Sequence, residues 1–284
     1  MSDQAIAARK SANLELDVSG RSWTEAALLP LSLVVLLVLW EGVVRAFDVP
    51  VFIIPPPSRV FASLVDITRS GLLFEQFIVT FTEAIAGFAF ALAFAAVFAT
   101  LITEWRLGEK LIYPYITALQ SMPKVAIAPL IVIWFGYGIS SKIAVAALLS
   151  FFPMLVNFVE GLKATDAGRL KLMQAMCATR WQTLRYVRIP YALPFVFAGI
   201  ELGGLYAMLG AIVAEFVGSS AGMGNWLIAL NLNLDTATTF ALLIVLSLYG
   251  VVFQKLLSAF RRRALFWARR EEGGEMGGRP ATRK

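Results

Sequence analysis

The sequence predicts an all-α, polytopic membrane protein with about six transmembrane helices, and two observations support that fold class. Of its 284 residues, 58% are hydrophobic and only 15% are charged, whereas a soluble domain has about 25% charged residues. Several apolar runs reach the roughly 20 residues that a helix needs to cross a bilayer. The mean hydropathy of +0.73 agrees with several such spans.

The apolar runs also give the order of the elements along the chain. The six predicted spans are 26–47, 77–103, 111–135, 143–159, 195–216 and 239–260. The predicted regions are a polar N-terminal arm at 1–24, the first span with its external connection at 25–76, a core at 77–260 that includes a polar loop at 161–193, and a basic, glycine-rich tail at 261–284. The sequence contains no evident internal repeat or second domain.

The distribution of basic residues predicts the orientation. With the N-terminus inside, the cytoplasmic segments hold 20 of the 25 Lys and Arg residues, and six of these lie in Lys163–Arg188. The external segments then hold four, which are Arg45, Arg59, Arg69 and Lys142. An excess of positive charge in cytoplasmic loops is the usual arrangement. Six spans with both termini in the cytoplasm therefore fit the charges best.

The third predicted span is interrupted by Pro114, Pro123 and Pro129. Proline removes a backbone donor, and broken helices persist at membrane depth only where protein or a water-filled cavity satisfies the freed carbonyls. Met122, Pro123 and Lys124 are therefore candidates for a translocation pathway, since an intramembrane charge indicates function. A kinked packing helix whose Lys124 side chain reaches the interface explains the same pattern equally well.

The fifth predicted span supplies two further pathway candidates, Glu201 and Glu215. A hydrogen bond between helices, or a buried acid in its protonated form, explains each of these residues at least as well as a place in the pathway.

Few residues in the chain can support catalysis. It contains no histidine, so histidine metal sites and Ser-His-Asp or Cys-His catalysis are excluded, and no metal site is predicted. Its single cysteine, Cys177, excludes an internal disulfide. No phosphate-binding loop of the form G-x-x-x-x-G-K-[ST] is present, so a separate subunit must bind and hydrolyse any ATP that drives transport. No catalytic residues are predicted.

Four segments in order resemble the inner-membrane permeases of ABC importers. They are MPKVAIAPLIVIWFGYG (122–138), SFFPMLVNFVEGL (150–162), ATRWQ with the following VRIPYALPFVFAGIELG (178–203), and AIVAEFVGSSAGMGNWL (211–227). The resemblance covers about 200 residues, from Pro55 to Leu257. It is to the branch of nitrate, sulfonate, taurine and bicarbonate systems, with similarity to permeases for pyrimidine-type precursors and riboflavin.

The coupling motif of that family is present in a degenerate form. The family pattern is Glu-Ala-Ala, three residues, Gly, nine residues and Ile-x-Leu-Pro. Its first triplet falls here on Lys171, Leu172 and Met173, its glycine on Cys177, and its close on Val187–Pro190. The resemblance implies a type I ABC-importer permease fold and a short coupling helix, over 172–182, that docks in a groove of the ATPase subunit. The implied contact residues are Leu172, Met173, Met176, Cys177, Ala178, Arg180 and Trp181. An amphipathic helix lying on anionic lipid is the alternative interpretation.

The resemblance also implies the partners and the place of action. The implied partners are an ABC ATPase that binds ATP and Mg, an extracytoplasmic solute-binding protein, a second copy of this chain and membrane lipid. The implied place of action is the inner membrane. Nucleic acid is not expected as a partner. No cofactor is expected in this chain itself. Relatives for nitrate and sulfonate often have Arg where this chain has Glu83 and Glu201, which favours a neutral or aromatic organic solute over a small anion. The rival class is a stand-alone secondary transporter or channel, for which inverted repeats would be expected.

Overall fold

The computed structural model describes residues 23–265, and within this range every regular element is a helix. Most of the predicted arm at 1–24 and most of the tail at 261–284 lie outside the described residues, and the last two positions of the arm, 23 and 24, begin α1. The α-helices are α1 (Trp23–Ala46), α2 (Pro57–Arg69), α3 (Leu72–Glu104), α4 (Arg106–Ser121), α5 (Ala128–Phe135), α6 (Ile139–Lys163), α7 (Ala167–Ala175), α8 (Arg180–Thr183), α9 (Ile189–Val217), α10 (Met223–Leu232) and α11 (Thr236–Ala264). A 3₁₀-helix at Lys124–Ile127 precedes α5, and a π-helical turn at Leu184–Arg188 joins α8 to α9.

Four helices of the described chain are long and apolar enough to cross a membrane. They are α3, α6, the continuous 38-residue helix Arg180–Val217, and α11, and they correspond to the second, fourth, fifth and sixth predicted spans. The bent pair at 111–121 and 124–135 makes a fifth if it counts as one span. The described part of α1, at the position of the first predicted span, is helical but is not among these candidates, so the total of six stays a prediction.

Two helices were not predicted. The connection predicted to be external contains α2, whose buried Val60 and Ile67 recur at helical spacing and pack with Ala241 of α11. The segment after α9 contains α10, whose buried residues pack against Leu242 and Leu246 of α11. Both helices are shorter than a span, so a search for runs of about 20 apolar residues does not find them.

The centre of the bundle is formed by α3, α6 and α9, which pack closely because small residues line their contacts. Gly87 of α3 and Gly210 of α9 lie on either side of Ala146 of α6. A Cβ on Gly210 would be 2.7 Å from the Ala146 Cα atom, so the two helices can approach this closely only without a side chain there. Small residues commonly allow such close contact between membrane helices.

The predicted interruption of the third span is confirmed, and it falls at one proline. The two halves of the segment meet at an angle of 85° around Met122 and Pro123. Pro114 lies within α4, and Pro129 lies in the first turn of α5, where the missing N–H has no helical partner to lose. The chain therefore bends at Pro123 and continues as helix past the other two prolines.

Candidate functional site

The predicted coupling segment is two helical pieces separated by a tight turn. The expectation of one short helix over 172–182 is wrong, because α7 ends at Ala175 and α8 begins at Arg180. Asp166 caps the start of α7 by accepting a hydrogen bond from the Arg169 N–H at 3.0 Å. Leu172 and Met173 therefore lie on α7, Met176, Cys177 and Ala178 in the turn, and Arg180 and Trp181 on α8.

The end of α7 is a Schellman motif. The Cys177 N–H donates to the Gln174 carbonyl, and the Ala178 N–H donates to the Met173 carbonyl, both at 3.0 Å. Cys177 has a φ of +51°, which is the left-handed conformation that this motif requires and that glycine adopts most easily. Cys177 aligns with the glycine of the family motif, and its left-handed backbone conformation is the reason why the family has glycine at this position.

The second piece is fixed to the long helix that follows. Thr179 and Gln182 form a reciprocal capping box, in which the Gln182 N–H donates to Thr179 Oγ1 at 3.2 Å and the Thr179 N–H donates to Gln182 Oε1 at 2.8 Å. The π-helical turn Leu184–Arg188 then continues into α9 without a break. α8, the π-helical turn and α9 therefore form one continuous helix.

The coupling segment exposes large apolar side chains. Leu172, Met176 and Trp181 are 61%, 68% and 69% exposed, and Tyr186, which was not predicted, is 70% exposed. Of the other predicted contact residues, Cys177 and Arg180 are exposed and Met173 and Ala178 are half-buried. Leu172 and Met176 precede the long helix Arg180–Val217, and Trp181 and Tyr186 lie in its first turns. Contact with a partner would remove these exposed apolar groups from water.

Ionic and aromatic contacts hold the coupling segment against the bundle. Arg188 of the π-helical turn forms an ion pair with Glu104 at the end of α3, with an N···O distance of 3.0 Å. The Tyr113 hydroxyl of α4 donates to Glu160 of α6, and the Lys163 Nζ lies 4.0 Å from the centre of the Tyr113 ring. A polar cavity of about 250 Å³ lies between α7, α8 and the end of α3. Arg188 thus joins the coupling segment to α3, and the Tyr113 contacts join α4 to the end of α6 that precedes the segment.

The structure does not bring the five predicted pathway residues together. Met122, Pro123 and Lys124 lie at the bend, where Lys124 Nζ donates to the Gln120 carbonyl at 2.6 Å and lies 5.2 Å from the Phe152 ring centre. Glu201 and Glu215 are 14 residues apart on α9, which is about 21 Å along the helix axis.

Glu201 faces α11 at the half of α9 nearer the coupling segment. It accepts hydrogen bonds from Ser258 Oγ at 3.0 Å and from Arg261 Nη1 at 3.2 Å. These contacts agree with the alternative of a bond between helices.

Glu215 lies at the other end of α9, in a buried polar cluster that the sequence indicated only in part. The cluster contains Thr80 and Glu83 of α3, Lys142 of α6 and Glu215 of α9, each no more than 2% exposed. Lys142, expected in an external segment, lies in the first turn of α6 and donates to the Tyr137 carbonyl at 2.5 Å. The sequence signal for this cluster was one charged residue on each of three membrane helices, namely Glu83, Lys142 and Glu215.

A second cavity, of about 940 Å³, lies among α3, α4 and α6. Its wall includes Phe90, Phe94, Phe98, Phe151 and Phe152, and Ser140 is the one lining residue with a hydrogen-bonding side chain. A binding site for a polar solute needs several placed polar groups, so this cavity suits an apolar occupant.

Comparisons with known proteins agree with this architecture. Residues 94–265 match the family described as "Binding-protein-dependent transport system inner membrane component". The riboflavin transport system permease protein RibX of Chloroflexus aurantiacus is 36% identical over 84% of this chain and 89% of its own length. The formylaminopyrimidine transport permease protein ThiX of Halalkalibacterium halodurans is 30% identical over 83% of this chain and 94% of its own.

A solved structure shares the fold. The crystal structure of an amino acid ABC transporter with histidines covers 70% of this chain and 97% of its own, with a TM-score of 0.57 and 18% identity. The family match spans more than half of the chain, and the resemblance inferred from the motifs is confirmed. This chain therefore belongs to the binding-protein-dependent transport system inner membrane components: it is a multi-pass inner-membrane permease of an ABC importer and not the catalytic subunit.

Proposed function

We propose that this chain, as a homodimer with two ATPase subunits, passes a small neutral or aromatic organic solute across the inner membrane after an extracytoplasmic binding protein delivers it. The observation that carries the proposal is the exposed apolar surface of the coupling segment, formed by Leu172, Met176 and Trp181. The chain has no ATP-binding motif of its own, so this surface is where an ATPase subunit would dock. ATP and Mg belong to the ATPase in this scheme.

The shape of the segment supports docking into a groove. Recognition of a helix in a groove relies on a few apolar anchors that project from one short element. The Schellman turn at Cys177 and the capping box at Thr179 fix the relative positions of α7 and α8, so that their side chains lose little conformational freedom on binding. An anionic lipid surface would instead favour a basic face above an apolar face immersed in the headgroups.

The route from ATPase to pathway runs through the π-helical turn. Closure of two ATPases moves α7 and α8, and the continuous helix Arg180–Val217 carries that movement into the centre of the bundle. The ion pair between Arg188 and Glu104 carries the same movement to α3. Alternating access then follows from a change in how α3, α6 and α9 pack against the second copy.

The solute class is supported by the relatives and by charge. The two relatives above are named for riboflavin and formylaminopyrimidine, both of which are organic heteroaromatic compounds. Glu201 brings negative charge to a position that would disfavour a small anion. Sulfonates, taurine and nitrate are the competing solutes.

Reconstitution tests the function. Proteoliposomes with the chain, its ATPase and its binding protein should take up solute only with ATP, and an ATPase whose phosphate-loop lysine is replaced should abolish uptake. The purified chain alone should not hydrolyse ATP. Uptake without the ATPase, driven by an ion gradient, would establish the secondary-transporter alternative. Competition between flavins or pyrimidines and sulfonates, with uptake as the readout, distinguishes the solute classes.

Topology is tested separately. Reporter fusions after Lys110, Arg169 and Arg270 should indicate the cytoplasm, and fusions after Ser63 and Ala221 the outside. An external signal at Arg169 would contradict the coupling assignment.

A further inference from the structure

The end of the bundle opposite to the coupling segment has a buried polar cluster for which the transport cycle described above has no use. The coupling segment follows the end of α6 and precedes α9, whereas the cluster lies near the starts of α3 and α6 and at the end of α9. Its members are Thr80, Glu83, Lys142 and Glu215, and among the described residues the last three are the buried charged side chains.

The cluster holds the N-terminus of α10. The backbone N–H groups of Gly222, Met223 and Gly224 donate to Gln76 Oε1 at 2.6 Å, Thr80 Oγ1 at 2.8 Å and Glu215 Oε2 at 2.5 Å. Three side chains from two spans thus satisfy three donors that a helix start leaves without helical partners. Gly222 and Gly224 have no side chains to obstruct this arrangement, and a Cβ on either one would meet the Glu215 carboxyl group.

The hydrogen bonds indicate which acid is ionised. Glu215 accepts through both oxygens, from Thr80 Oγ1 at 2.7 Å and from the Gly224 N–H, and it lies at the positive end of the α10 dipole. Glu83 lies on α3 three residues after Thr80, which donates to Glu215, and Lys142 is buried like the two acids. Among the described residues the two buried acids share one buried lysine, so the charges balance only if one of the two acids carries a proton.

The surroundings of Glu83 place that proton. Glu83 Oε2 is buried and has no hydrogen-bond partner, and an unpaired oxygen costs less free energy in a neutral acid than in a carboxylate. We propose that Glu83 is a proton-binding site. In this conformation it carries a proton and donates it to Glu215, whose negative charge Lys142 balances. This contact completes a polar lock, formed by Thr80, Glu83, Lys142 and Glu215, that holds α10 against α3 and α9.

The lock links conformation to protonation. Glu215 of α9 and Lys142 of α6 are the charged groups buried together with Glu83 among the described residues, and α10 contributes backbone N–H groups to the cluster. If α3 and α9 separate at this end, Glu83 loses its acceptor and can release the proton to water. Because the closed form binds the proton more tightly, a higher pH favours the open form.

Neutral isosteres test the assignment in the full-length chain. Glu83→Gln keeps an N–H donor toward Glu215 and removes only the titratable proton, so its thermal midpoint should stay within about 2 °C of the wild type. The matched variant Glu215→Gln leaves Lys142 without a counter-charge, and its midpoint should fall by about 10 °C. A double change of Glu215→Gln with Lys142→Met should recover most of that loss. The opposite ranking of the two Gln variants would overturn the assignment.

Infrared spectroscopy gives a readout that does not depend on stability or transport. The carbonyl stretch of a protonated carboxylic acid lies apart from the carboxylate bands, so the wild type should show such a band and Glu83→Gln should lack it. Absence of the band in the wild type, or its persistence in the variant, would overturn the proposal. Uptake by Glu83→Gln should also lose a pH-dependent step that the wild type shows, and an unchanged pH profile would refute the lock. The first two readouts need no transport, so their failure is distinguishable from failure of the proposed function.

Discussion

The two ends of the helix bundle differ in how their polar and apolar groups are satisfied. At the coupling end, Trp181 and Met176 are more than two-thirds exposed and contact little of their own chain. At the opposite end, Glu215 and Thr80 are buried, and their hydrogen bonds are formed within the chain. The first end leaves apolar surface uncovered by its own chain, whereas at the second end the hydrogen bonds of Glu215 and Thr80 are made within one copy of the protein.

This difference indicates where binding and conformational control lie. Exposed apolar groups gain free energy when a partner covers them, so the coupling end is suited to association. A satisfied buried network is strong while it is intact and costly when it is partly broken, so the opposite end is suited to holding one conformation. Substitutions should therefore impair stability at one end and assembly at the other.

The largest effect is expected at the lock. Gly222 has a φ of +104°, and a Cβ there would meet the Glu215 carboxyl group. Gly222→Ala should combine backbone strain with overpacking and lower the free energy of unfolding by about 3 kcal/mol. The measurement is thermal or denaturant unfolding of the purified protein.

Gly138 supplies the control for this prediction. It precedes α6 near the same end, has a φ of −75°, and a Cβ there would have no atom within 4 Å. Gly138→Ala should leave the free energy of unfolding close to that of the wild type. Equal stability of both variants would mean that α10 is not held as described.

A smaller loss, confined to assembly, is expected at the coupling end. Met176→Asp places a charge among the exposed apolar groups, and an unpaired charge buried at an interface costs about 2–5 kcal/mol. ATPase binding should weaken at least roughly 30-fold, which corresponds to about 2 kcal/mol, while unfolding is unchanged. The measurement is binding of the ATPase to the reconstituted variant.

The matched comparison for the coupling end is Arg185→Ala. Arg185 is exposed in the π-helical turn and contributes no apolar area to the proposed contact. Its loss should change binding less than Met176→Asp does. If Met176→Asp binds the ATPase as the wild type does, the lipid-surface interpretation of this segment becomes the better one.

The sequence predicted most of the spans because length and hydropathy decide them. It also predicted a break in the third span, although it named three prolines and the chain bends only at Pro123. The apolar residues of the coupling segment followed from the family resemblance, and Leu172, Met176 and Trp181 are exposed. The two-part shape of that segment was missed. A helix end marked by Cys177 in place of glycine gives no composition signal, and the Schellman bonds appear only in three dimensions.

The lock could not be derived from the sequence, for a different reason. Thr80, Lys142 and Glu215 are 62 and 73 residues apart in succession, and only helix packing brings them together. Each residue alone has an ordinary explanation as a hydroxyl facing its own helix or a charge near an interface. The polar contacts of α10, which was itself not predicted, complete the arrangement.

A still smaller effect is expected at Glu201, and it separates a packing role from a pathway role. Its ion pair with Arg261 is partly exposed, with 16% and 45% of the two side chains accessible, so Glu201→Gln should cost no more than about 1 kcal/mol. The Ser258 hydroxyl can still donate to the amide oxygen. Unfolding and solute KM should be measured together. A large change in KM with unchanged stability would indicate that Glu201 belongs to the translocation pathway.

The smallest effect is a gain in stability at Cys177. A residue with a side chain in the left-handed conformation costs about 1–2 kcal/mol, and glycine recovers part of this after its greater loss of backbone entropy on folding. Cys177→Gly should therefore raise the free energy of unfolding by about 0.5 kcal/mol, or the thermal midpoint by about 1–2 °C. Cys177→Ala removes the thiol but keeps a Cβ in the same conformation, so it should show no gain. An equal rise in both variants would assign the effect to the thiol, whereas a rise with glycine alone would identify backbone strain at the end of α7.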